Sequence, residues 1–159
     1  MKVLFLDLDG VMVPIFGGNS DCAMKKENKW DVEPFSMKAV AMLNWILRET
    51  GAEIVLSSDW RNHFTISQIR EIFAENGVLR GPIGFTSDSK LYTADKLEKG
   101  RTAEIREWVD RHRVTNWVSV DDLDLSELGN HFVHCKRPQM GLKETGIKEK
   151  IVKILNAAA

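Results

Sequence analysis

Val3-Leu4-Phe5-Leu6 is an unbroken run of four apolar residues, and it ends in Asp7-Leu8-Asp9-Gly10. A strand that is apolar on both sides of its pleat has to be covered on both faces, the condition met in parallel sheets flanked by helices. This segment argues against a sheet with one face in water. Its end adds a second constraint. Two carboxylates one residue apart at the close of a buried strand repel each other and resist desolvation, so keeping both ionised takes a cation or donors aimed at them.

The rest of the chain supplies the layers such a strand requires. Ser36 is placed to cap a helix carrying Val40, Leu43, Ile46 and Leu47, with Gly51 as its stop. Glu53 to Leu56 reads as a strand. Thr65 is placed to cap a second helix carrying Ile66, Ile69, Ile72 and Phe73, which ends near Asn76-Gly77, and a weaker strand follows at Ile83 to Thr86. Arg101 to Arg113 reads as a third helix with Ile105, Trp108 and Val109 on one face. Trp117 to Val120 is a strand ending in Asp121-Asp122, His131 to His134 is another, and Ile147 to Leu155 is a closing helix. This order predicts an α/β fold, a three-layer α/β/α Rossmann-like arrangement around a mostly parallel five-stranded sheet. No repeat, low-complexity tract or linker divides residues 1–159, which read as one domain.

Composition bears on partners and compartment. A formal net charge of -1 provides no global basic field, so affinity for nucleic acid would need a local patch. Cys22 and Cys135 are too few for a disulfide framework. The N-terminal apolar run is too short to span a membrane and ends in acids rather than a cleavage site, so a cytoplasmic protein is expected.

In an open parallel sheet the ligand site lies beyond the carboxyl ends of the strands, where strand order reverses. Those ends carry Asp7 and Asp9, then Ser57, Ser58 and Asp59, then Asp121 and Asp122, then Lys136 and Arg137. Four acids with a serine pair make a hard, oxygen-rich site suited to Mg²⁺, which would also compensate Asp7 and Asp9. Gly10 permits a sharp turn that aims backbone amides at an anion.

These residues resemble a known family. DLDGV, at Asp7 to Val11, is similar to the DxDG[TV] first motif of the haloacid dehalogenase-like (HAD) hydrolases, and IVLSS resembles the second motif, with Ser57 as its hydroxyl. The third motif is a Lys or Arg at or before a helix, for which Arg101 is the choice and Lys96 and Lys99 are the neighbouring candidates. VSVDD resembles the fourth. The phrases LNWILRETGAEIVLSSDWR, RTAEIREW, HFVHC and MGL resemble more narrowly the HAD domain of Swiss Army knife RNA repair proteins, related to the phosphatase module of polynucleotide kinase-phosphatases.

The resemblance implies phosphoryl transfer through an aspartyl-phosphate. Asp7 would be the nucleophile, and Asp9 the acid and then the base. Mg²⁺ would be held by Asp7, the backbone carbonyl of Asp9, and Asp121 or Asp122 or both. Ser57 and Arg101 would hold the transferring group, with Ser58, Arg61 and Lys99 as substrate contacts. The gaps between motifs leave no room for a substantial cap, and an open site in this superfamily implies a large substrate such as a nucleic-acid end. These residues hold no G-x-x-x-x-G-K-[ST] motif, so a phosphatase acting without a P-loop kinase is expected.

Other readings stand beside these. The same mechanism would serve a phosphoprotein, a small metabolite or a non-water acceptor, and a non-catalytic binding module would keep the fold and the metal site. Lys25, Lys26, Lys29 and Trp30, with Lys136 and Arg137, could hold a single strand or be solvated loop residues. Ser57, Ser58 and Asp59 could cap a turn, and Arg61 could be an ion-pair partner. His131, His134 and Cys135 alternate as a strand does and lack a fourth zinc ligand. Trp45, Trp108 and Trp117 sit at packing positions, whereas Trp60 could serve packing or binding.

Overall fold

The computed structural model describes residues 1–15, 21–87 and 97–157. Five strands, β1 (Lys2–Leu6), β2 (Glu53–Leu56), β3 (Gly84–Phe85), β4 (Asn116–Asp121) and β5 (Phe132–His134), form one sheet in the order β3-β2-β1-β4-β5. Every pairing is parallel. Four helices connect or close it: α1 (Met37–Thr50), α2 (Ile66–Glu75), α3 (Leu97–His112) and α4 (Ile147–Asn156). The chain builds outward from β1 through β2 to β3, then crosses to the other side of β1 for β4 and β5. Strand order therefore reverses between β1 and β4, where a ligand crevice is expected.

Strand alternation explains the layers. Leu4, Leu6, Ile54, Leu56, Val118 and Val120 share one core with the apolar faces of α1, α2 and α4. Val3, Phe5, Val55 and Trp117 face the other way and pack with Ile105 and Trp108 of α3. Phe5 meets Trp108 and Trp117 edge-on at 5.6 and 5.7 Å, the favoured geometry for aromatic pairs. Burying a side chain like Phe5 is worth about 1.5–3 kcal/mol. The same period of two that sends Phe5 toward α3 sends Asp7 there as well.

The helix ends follow local chemistry. The Ser36 side chain accepts from Ala39 N, and Gly51 at φ 69° closes α1 with its N–H on Leu47 O. Thr65 and Gln68 form a reciprocal capping box on α2. Three of the elements whose boundaries differ from those predicted are instructive. The helix expected to start at Arg101 is already formed at Leu97, because Leu97, Glu98 and Lys99 favour helix and Gly100 costs only about 1 kcal/mol inside one. Only Gly84 and Phe85 form the weak strand, although Ile83 N on Ile54 O and Thr86 N on Leu56 O continue its hydrogen bonding. The last strand begins at Phe132, since His131 ends a 3-10 turn and stacks on Trp117 at 4.1 Å. Among the described residues no large cap covers the strand ends, and no described helix is long and apolar enough to cross a membrane.

Candidate active site

Parallel register assembles the core of the site. Leu6 pairs with Leu56 on one side and Val120 on the other, so one residue further Asp7 stands between Ser57 and Asp121. Hydrogen bonds from Ser57 N to Leu6 O (2.9 Å) and from Asp7 N to Val120 O (3.2 Å) carry the ladder to this point. All three side chains take the face covered by α3. From that helix the Arg101 guanidinium reaches across the row, with Nη1 at 3.0 Å from Asp121 Oδ2 and 3.5 Å from Asp7 Oδ1, and Nη2 at 3.7 Å from Asp59 Oδ1. Asp7, Arg101 and Asp121 are all buried.

The turn after Asp7 draws in a third acid. Leu8 O accepts from the amides of Val11, Met12 and Val13, which folds the chain back at Gly10 with φ 82°. A Cβ at Gly10 would lie 2.5 Å from Asp122 Oδ2, so only glycine supplies both the left-handed backbone and the close approach of Asp122. Asp7, Asp121 and Asp122 then offer carboxylate oxygens within 4.8 Å of one another. This all-oxygen donor set fits a hard divalent cation such as Mg²⁺. A second glycine props the turn from behind. Gly141, at φ 58°, lets its backbone approach so closely that a Cβ would sit 2.3 Å from Val11 O, and Leu142 N donates to that same oxygen at 2.9 Å.

The charges here are unbalanced. Burial, then the charge of Asp121, hold the Asp7 carboxyl well above the usual carboxylate range, with Arg101 acting in the opposite sense. Burial likewise pushes Asp121 up to about 6 against the pull of Arg101. Burial acts to lower the Arg101 pKa, but Asp121 and Asp7 outweigh it and hold the guanidinium charged. One guanidinium thus faces three clustered carboxylates, and a divalent cation would redress the deficit. The buried Ser57 hydroxyl has no hydrogen-bond partner among the described residues. Leaving it unsatisfied costs about 1–3 kcal/mol, a loss that an oxygen of an incoming anion would recover.

Asp9 is set apart from this cluster. The residue is solvent-accessible on one side, lies outside the three-acid group, and its partly covered carboxylate accepts from Trp60 Nε1 at 3.1 Å. Partial burial raises its pKa, the Trp60 bond opposes that rise, and Asp122 and Asp59 add to it. The carboxylates of Asp7 and Asp9 therefore coexist by separation as well as by compensation.

The remaining candidates scatter. Ser58 is buried and its hydroxyl accepts from Trp60 N, capping the 3-10 turn Asp59–Asn62. Arg61 forms a buried ion pair with Glu104 of α3 at 3.1 Å and donates to Thr86 Oγ1 at 2.8 Å. Lys99 is exposed on the first turn of α3, and Lys96 lies outside the described residues. Lys29 pairs with Glu71 and sits 4.6 Å over the ring of Trp30, while Arg137 pairs with Glu144. His131 Nδ1 meets Trp117 O and His134 Nε2 meets Asp122 O, whereas Cys135 is buried against the sheet. Three contributors had no local signal: Trp60 as the partner of Asp9, Glu104 as that of Arg61, and Gly141 as the spacer behind the turn.

No curated protein and no solved structure gives a significant match. A family description does: the HAD domain in Swiss Army Knife RNA repair proteins matches residues 3–147, a span that runs from β1 to the first residue of α4 and includes every residue of the cluster just described. The chain belongs to this HAD-domain family.

Proposed function

We propose that the protein is a Mg²⁺-dependent phosphomonoesterase working through an aspartyl-phosphate, with a nucleic-acid end or a nucleotide as its substrate. Membership of a HAD family already points to a phosphohydrolase. The observation that carries the finer reading is the division of labour between two neighbouring acids. Asp7 lies in a buried row with Ser57, Asp121 and Arg101, and Asp9 stands outside it, bonded to Trp60.

Asp7, Asp121 and Asp122, with the backbone carbonyl of Asp9, are the groups that would hold Mg²⁺, whose charge would favour ionised carboxylates and stabilise the transferring phosphoryl group. An Asp7 carboxylate oxygen attacks phosphorus while the bond from phosphorus to the leaving oxygen breaks, and Asp9 gives its proton to that oxygen. An acid whose pKa is raised by its surroundings is suited to this donation near neutral pH. Ser57 Oγ donates to a phosphoryl oxygen, and Arg101 stabilises the charge that moves onto the group. Asp9, now ionised, takes a proton from water as the water attacks phosphorus. The bond to Asp7 breaks, and phosphate leaves. Arg61 supports this set indirectly, because its pair with Glu104 ties the turn after β2 to the helix that presents Arg101.

The substrate class rests on strand ends that no large cap covers among the described residues, and on the RNA repair proteins in which this domain family is found. The test is phosphate release, with Mg²⁺ or with a chelator, from 3′- and 5′-phosphorylated oligonucleotides, a mononucleotide and a phosphopeptide, with Asp7→Asn as control. Mg²⁺-dependent release from a nucleic-acid substrate, abolished in Asp7→Asn, is the expected result. Release from the phosphopeptide alone would overturn the substrate class, and full activity of Asp7→Asn would overturn the nucleophile.

A further inference from the structure

We propose that the cleft beside Asp9 is the leaving-group subsite, and that it takes a nucleobase from the terminal nucleoside that carries the phosphate. The inference rests on the catalytic reading above and extends it to the other half of the substrate. If Asp9 protonates the leaving oxygen, the group attached to that oxygen has to lie on the side of Asp9 away from Asp7. Asp9 borders a cleft of about 390 Å³ to which Asp7 does not contribute, a volume within the range typical of small-molecule pockets. Asp9 is part of its wall, so the proton donor and the subsite are continuous.

The lining defines the occupant by chemistry. Trp30, Trp60 and Phe64 contribute three aromatic rings, with Phe64 at 6.2 Å from Trp30 and 6.0 Å from Trp60 between ring centres. Asp31 and Glu33 join Asp9 as carboxylates beside a single base, His63, and no Lys or Arg is among the described residues of the lining. Three acids against one histidine, with the nearby Lys29 paired to Glu71, disfavour a second phosphate or an acidic peptide and accept from N–H groups. Aromatic faces hold flat rings. A nucleobase carries both features, a π face and exocyclic or ring N–H donors. A lysine-rich cleft, with Lys136, Lys150 and Lys153, is separate from it, along β5 and α4.

The aromatic wall is held by specific bonds. Trp30 Nε1 donates to Glu75 Oε2 at 2.8 Å. Asn28 binds the loop that carries Trp30: its side chain donates to Lys25 O, Lys26 O and Val32 O, and accepts from Trp30 N and Val32 N. Asp31 is held at φ 55°, a backbone region that non-glycine residues seldom occupy, though Asp does so more readily than most.

The test compares kcat/KM for adenosine 3′- and 5′-monophosphates, ribose 5-phosphate and phenyl phosphate in the wild type and in Trp30→Leu. At least one of the nucleotides is expected to exceed both ribose 5-phosphate and phenyl phosphate by about tenfold or more, since stacking one base is worth about 1–3 kcal/mol. Trp30→Leu is expected to collapse that ratio, mainly through KM. A wild-type ratio near unity, a phenyl phosphate as good as the nucleotides, or a ratio unmoved by Trp30→Leu would overturn the proposal. A second measurement stands apart from turnover and from the folding of that variant. Adenosine is titrated into Asp7→Asn while the indole N–H resonances of Trp30 and Trp60 are followed, with ribose as control. Shifts at both indoles with adenosine and none with ribose support the subsite, and unmoved resonances contradict it. Inertness of every phosphate ester would instead defeat the catalytic reading while leaving this binding result to decide the cleft.

Discussion

Replacing Arg101 with Met removes the guanidinium that lies 3.0 Å from Asp121 and 3.5 Å from Asp7 and leaves an apolar side chain of similar length. Asp7 and Asp121 would then be buried beside Asp122 without their cation. Removing one partner of a buried pair costs about 3–5 kcal/mol. At about 2–4 °C per kcal/mol for a chain of this size, the melting temperature without metal should fall on the order of 10 °C near neutral pH. The penalty depends on carboxylate charge. Asp121, already held at about 6 with Arg101 present, would protonate more readily without it. The loss should therefore shrink as the pH is lowered below about 6, where Asp121 carries a proton in the folded state. Mg²⁺ should also shrink it, by replacing the missing charge. The assay is thermal unfolding of wild type and variant across pH, with chelator or with Mg²⁺. A variant as stable as wild type near neutral pH without metal, or one whose penalty ignores both pH and Mg²⁺, would refute the reasoning.

Other expectations follow from the same geometry. In the wild type without metal, Asp121 binds its proton more tightly folded than unfolded. Its contribution to stability is thus full below about pH 3.8, is lost as the pH rises through about 6, and amounts to on the order of 3 kcal/mol. Melting scans with chelator should show this decline, and Mg²⁺ should reverse it above that range. Gly10→Ala should cost about 1–2 kcal/mol for its left-handed backbone and should also weaken Mg²⁺ binding, because the new Cβ displaces Asp122; metal titration followed by calorimetry reads both. Gly141→Ala should lower activity through the turn at Val11, since its Cβ would collide with Val11 O, and steady-state rates alongside circular dichroism would separate this from unfolding. Trp60→Phe keeps a ring but loses the bond to Asp9 that favours its ionised form, so the limb of the pH–rate profile that reports Asp9 should move to higher pH.

What could be read from the sequence is what local chemistry writes there. Val3 to Leu6 could be recognised as doubly buried because each residue carries its own transfer energy, and Ser36, Gly51 and Thr65 marked helix ends because capping is a bond between near neighbours. The strand-end acids were legible too, since the topology of a parallel sheet brings its carboxyl ends together. Contacts that join distant segments were not. Trp60 and Asp9 are 51 positions apart, and Arg61 and Glu104 meet only once α3 lies over the turn after β2. The separation of the Asp9 carboxylate from the other three acids depends on the turn at Gly10, which a spacing of two residues does not disclose. Gly100 hid the true extent of α3, because a buried glycine in a helix looks in sequence like a boundary. Gly141 gave no hint of its role, because the oxygen it accommodates belongs to Val11.

The most direct test of the central claim is to look for the covalent intermediate. The Asp9→Asn variant retains the nucleophile and loses the base that activates water, so it should accumulate phosphorylated protein when mixed with a reactive phosphate ester and Mg²⁺. Acid quenching followed by peptide mass analysis should place the mass of one phosphoryl group on the peptide containing Asp7, and Asp7→Asn should show none. Turnover by the wild type with no such adduct in Asp9→Asn, or an adduct on a residue other than Asp7, would contradict the account.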